Sequence, residues 1–74
     1  MREVTKYDVY ADIMGVEDLL GCYNNLEEIK QGILDADQKY GNIIVNKGNF
    51  HEAKNIGTLE GLANIRVDVR STAE

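Results

Sequence analysis

The sequence predicts an α+β domain: one amphipathic helix packed on a three- or four-stranded, mainly antiparallel sheet, in the order β-β-α-β-β. Three observations predict it. Apolar residues alternate with polar ones near both ends of the chain, an apolar stripe recurs at spacings of three and four in the middle, and a short β-branched run follows that stripe. With 74 residues, 43% of them hydrophobic, residues 1–74 read as a single small domain with material for one core and not as a disordered tail.

In residues 5–13, Thr5, Tyr7, Val9, Ala11 and Ile13 fall on one face and Lys6, Asp8, Tyr10 and Asp12 on the other, the period of a half-buried strand. Residues 14–18 read as a turn or short loop, after which Leu19, Leu20, Gly21, Cys22 and Tyr23 pair back as a hairpin. A one-turn helix over residues 16–20, capped by Gly21, is the rival reading. Asn25 with Glu28 three residues on makes a capping-box-like start, and Glu27 and Glu28 suit the positive end of a helix. Leu26, Ile29, Ile33, Ala36 and Tyr40 then form one stripe, so a helix over residues 25–40 is expected, ended by Gly41, with Gly32 marking close approach to a strand.

Ile43, Ile44 and Val45 read as a central strand buried on both faces, and residues 46–49 as a turn. Residues 50–63 read as loop with at most one helical turn, because Asn55, Gly57 and Gly61 interrupt the helical spacing of Phe50, Ala53 and Ile56. Ile65, Val67 and Val69 alternate with Arg66, Asp68 and Arg70 as a strand buried on one face, and residues 71–74 read as a tail.

Thirteen acids against eight Lys and Arg give a net charge of −5, which opposes a generic nucleic-acid binder because phosphate neutralisation needs surplus cations. The single cysteine, Cys22, allows no intramolecular disulfide. No signal-peptide-like stretch opens the sequence and no apolar run approaches the ~20 residues that span a bilayer, so a cytoplasmic, membrane-free protein is expected.

Catalytic chemistry finds little support. Cys22 and His51 make a formal nucleophilic pair only if the fold joins them, and Cys22 in its apolar run reads as a buried, inert thiol. His51 and Glu52 lack a second His or Cys nearby, and Asp35 and Asp37, two apart on a helix, read as solvated face. Gly57 and Gly61 lack the lysine and hydroxyl of a phosphate loop. No catalytic residue, metal site or cofactor is expected.

Charge distribution carries the functional content. Residues 1–40 hold nine acids and four bases, whereas residues 41–74 hold four of each, so all the net charge lies in the first half. Asp8, Tyr10, Asp12, Glu17, Asp18, Glu27 and Glu28 are expected to form a protein-binding patch, with Tyr10 as the main aromatic anchor and Tyr23 as a second candidate, that steers a basic partner. A charge of −5 also lies in the ordinary range that keeps a small domain soluble.

The expected function is thus a small acidic, non-enzymatic binding module that inhibits or regulates a larger protein with a basic surface. In size, charge and coarse topology the chain resembles small phage-encoded inhibitors of host enzymes or defence systems, anti-CRISPR proteins included. That resemblance implies an intracellular viral inhibitor and carries no individual residue over. The alternatives are a structural protein that self-assembles through sheet edges, with the first or last strand pairing across a two-fold as a homodimer, and a protein that sequesters a small ligand or nucleotide.

Overall fold

A computed structural model describes residues 3–46 and 48–73. The fold is α+β, with a three-stranded antiparallel sheet and two helices. Strand β1 (Glu3–Ile13) is central, flanked by β2 (Val16–Tyr23) and β3 (Ile65–Ala73).

The alternation in residues 5–13 translates directly into β1: Val9 and Ala11 are fully buried, and Tyr7 and Ile13 pack against the same core. Ile13 pairs with Val16 across a two-residue turn in which Met14 and Gly15 both have positive φ, 54° and 86°. Such a turn matches the right-handed twist of the two strands, and Asp12 Oδ1 holds it by accepting from Gly15 N at 2.9 Å. The hairpin reading of residues 19–23 therefore stands and the helical one does not. Between Val9↔Gly21 and Tyr10↔Leu19 the register shifts, leaving Leu20 as the extra residue of a bulge.

Helix α1 (Leu26–Lys39) starts where Asn25 accepts from Glu28 N at 2.9 Å, and Glu28 reaches back to Asn24 N at 3.1 Å. Ile29 and Ile33 are its fully buried residues, and Gly41 with φ of 80° follows its end.

The run Ile43-Ile44-Val45 is not a central strand. Ile44 is fully buried, but Asp37 Oδ1 takes the amides of both Ile44 and Val45 at 2.9 Å, and a single bridge, Val45↔Ala63, replaces a ladder. Asp37 is thus a backbone anchor and not a solvated carboxylate. Gly48 and Asn49 lie in a turn as expected, while Lys47 lies outside the described residues. Residues 50–63 hold a 3-10 turn (Phe50–Glu52) and a second helix, α2 (Ile56–Leu62), whose cap Asn55 accepts from Thr58 N at 2.8 Å. This helix stands where a loop with at most one turn is expected, the sheet stops at three strands because residues 43–45 add none, and the supposed tail pairs in β3 as far as Ala73, beyond which Glu74 lies outside the described residues.

One core unites these elements: Val9 and Ala11 below, Ile29, Ile33 and Leu59 above, with Ile44, Phe50, Ala53 and Ala63 from the connections. Each large side chain among them contributes about 1.5–3 kcal/mol relative to exposure. The helices cover one face of the sheet and leave the other to solvent. No helix among the described residues is long and apolar enough to cross a membrane.

Candidate functional site

The open sheet face carries four of the seven predicted patch residues, since Asp8, Tyr10 and Asp12 alternate outward along β1 and Glu17 is the partner of Asp12 on β2. The same register brings Arg66 and Arg70 of β3 beside them, opposite Tyr10 and Lys6. Arg66 stacks its guanidinium 4.4 Å from the Tyr10 ring centroid and donates to both carboxylate oxygens of Glu17, at 2.7 and 3.1 Å, and to Asp68. This fork holds the Glu17 carboxyl below its usual pKa, with burial opposing. Arg70 donates to Asp8 and to Cys22 Sγ at 3.3 and 3.4 Å. Cys22 is therefore exposed on the sheet face, not buried, and His51 sits apart from it in the helical layer, where its carbonyl accepts from Lys30 at 3.0 Å.

The remaining three residues are placed elsewhere. Asp18 is exposed on β2, Glu27 lies 4.0 Å from Lys30, and Glu28 is spent partly on the α1 cap. On the sheet face, then, acids and arginines stand side by side: Glu17 and Asp8 hold arginines of the same chain, and Asp12 holds the backbone of the hairpin turn.

A groove of about 550 Å³ opens instead between the outer edge of β2 and α1. Its floor is apolar: Leu19, Leu20, Tyr23, Gly32, Ala36 and Tyr40, with Leu19 and Tyr40 exposed to 59% and 37%. Glu28, Gln31, Asp35 and Lys39 form its rim. Gly32 is what brings the helix this close, as a Cβ there would stand 2.7 Å from Tyr23 Cε1 and one at Gly21 would stand 2.9 Å from the Tyr23 hydroxyl oxygen. The phenol is wedged between two glycines. Burial, and then the charge of Asp35, push its pKa up.

Tyr40 was expected in the core because its spacing continues the α1 stripe, but it is the C-cap residue, where the helix has already turned away, and Lys39 stands 5.6 Å over its ring. Spacing alone could not show this, because the groove is a gap between elements rather than a motif within one. Among the described residues no ion pair engages Glu28 or Asp35, and no buried side-chain polar atom lacks a partner. No protein-family model matches the chain, and neither a curated protein nor a solved structure matches it.

Proposed function

We propose that the chain is a small acidic binding module, without catalytic machinery, that regulates a larger protein by seating one of its basic and apolar segments in the groove between β2 and α1. The supporting observation is the combination of Leu19 and Tyr40, large apolar side chains open to solvent, with Glu28 and Asp35 on the rim. Exposed apolar surface beside carboxylates that, among the described residues, form hydrogen bonds but no ion pair suits a Lys- or Arg-containing apolar stretch. A basic partner on the sheet face would first have to displace Arg66 and Arg70, whereas among the described residues no arginine lines the groove.

Selection of a random displayed-peptide library on the purified protein tests this reading, followed by titration of the winners at low and high salt. Enrichment of Lys or Arg beside Leu or aromatic residues is expected, with affinity that falls with salt and drops about tenfold in Asp35→Lys or Tyr40→Asp. Acidic winners, or binding unchanged by both substitutions yet lost when Asp8, Tyr10 and Asp12 are altered together, would move the site to the sheet face and sink the groove.

A further inference from the structure

The outer edge of β3 is a different surface, on the opposite side of the sheet from the groove. The amide of Asp12 donates to the carbonyl of Asn64 at 2.9 Å, so even-numbered positions at this end of the strand direct their backbone groups toward β1. Odd-numbered ones point away, as the Val67 amide shows by donating to Glu60 Oε2 at 3.1 Å. Beyond Val67 the edge carries the backbone N–H and C=O of Val69 and Ser71, and no neighbouring strand among the described residues pairs with them. Val69 is 63% exposed on the core-side face, and Asp68 and Arg70 flank it on the solvent face.

We propose that this edge pairs with the same edge of a second copy, antiparallel about a two-fold at Val69, to give a continuous six-stranded sheet. Charge selects the register. Centred on Val69, pairing sets Asp68, which holds Arg66 in the single chain, opposite Arg70 of the second copy, which holds Asp8 there, twice by symmetry, and Val69 against its own equivalent. A shift of the two-fold to position 70 would set Arg70 against Arg70, which is unfavourable for directly opposed residues. Val67 and Ser71 then fall opposite each other, so the Ser71 carbonyl of the second copy takes the Val67 amide that Glu60 occupies in the single chain. Glu60 is in this arrangement a stopper on the edge, of the kind that limits strand addition. The two grooves lie at the far ends of the extended sheet, so pairing does not depend on the groove reading.

Sedimentation over a dilution series from micromolar to millimolar protein reads the outcome, with circular dichroism confirming the fold of every variant. A dimer is expected whose dissociation constant rises at least about tenfold in Val69→Lys and in Asp68→Arg, is recovered in the exchange Asp68→Arg with Arg70→Asp, and falls several-fold in Glu60→Ala. A protein that stays monomeric throughout the series overturns the proposal, as does a dimer indifferent to Val69→Lys and to Asp68→Arg alone. Should a charge variant not fold, Val69→Cys in a Cys22→Ser background decides instead. Residues paired in this way have Cα atoms about 5.5 Å apart, within disulfide reach, so mild oxidation must yield a covalent dimer. Its absence excludes the register.

Discussion

The Arg66 guanidinium sits over the ring of Tyr10, its partner across the β1–β3 ladder, with its central carbon 4.4 Å from the ring centroid, and from there forks onto Glu17 at the hairpin end. One side chain of the third strand thereby ties together all three, through a cation–π stack and a bidentate ion pair. An arginine fills the place that a basic partner was expected to take on Tyr10.

That fork makes part of the acid stability depend on one carboxylate. Glu17 has a folded-state pKa below its usual 4.5, so its contribution is complete above that value and is lost as the pH falls through the lowered one. Urea unfolding as a function of pH is expected to show a steeper acid limb in the wild type than in Glu17→Gln. Arg66→Lys keeps the charge and loses the fork, and should resemble Glu17→Gln.

Gly32→Ala is expected to destabilise the protein by about 1–3 kcal/mol, although alanine is the better helix former, because the methyl meets the wedged Tyr23 ring. In a Tyr23→Val background the same substitution should cost less. Chemical denaturation of the four members of this cycle measures the difference.

The Tyr23 phenol gives an alkaline counterpart. Its folded-state pKa is raised above the usual 10.0, so its contribution is intact below that value and is lost as the pH rises through the raised one. Tyrosinate absorbance is expected to show one of the four tyrosines titrating late, and Asp35→Asn should bring it earlier.

Asp37→Ala leaves two partly buried amides, those of Ile44 and Val45, without their acceptor and is expected to cost about 1–3 kcal/mol. Asp37→Asn keeps an oxygen in place and should cost less. Hydrogen exchange at Ile44 and Val45 is expected to quicken first.

Met14→Asn should stabilise the hairpin by about 0.5–1 kcal/mol, since asparagine tolerates the positive φ that methionine adopts there at a cost. A higher thermal midpoint checks it.

The strands and α1 were legible because each writes its period locally: alternation along Val9 and Ala11, a stripe through Ile29 and Ile33, a cap at Asn25. The run at residues 43–45 misleads because β-branched apolar residues signal burial, not a partner strand, and the partner of its amides is a carboxylate on another element. Helix α2 hides behind Gly57 and Gly61, although Asn55 with Thr58 is a cap signal in plain sight. The sheet-face network was out of reach because Glu17 and Arg66 stand 49 positions apart and only the β1 register makes them neighbours. Tyr40 could not be separated from the stripe it extends, so the groove was illegible for the same reason.

The register that pairs Glu3 with Ala73 has a kinetic corollary. The central strand is the first to be made, its β2 side can close within a hairpin, and its β3 side must wait until residues 65–73 are available. Such distant pairing slows folding and leaves an unsatisfied ladder exposed while it waits. Lys6, Asp8 and Asp12, spaced along the waiting strand, are charges of the kind that keep an unfinished edge from recruiting a stray chain before its own last strand arrives.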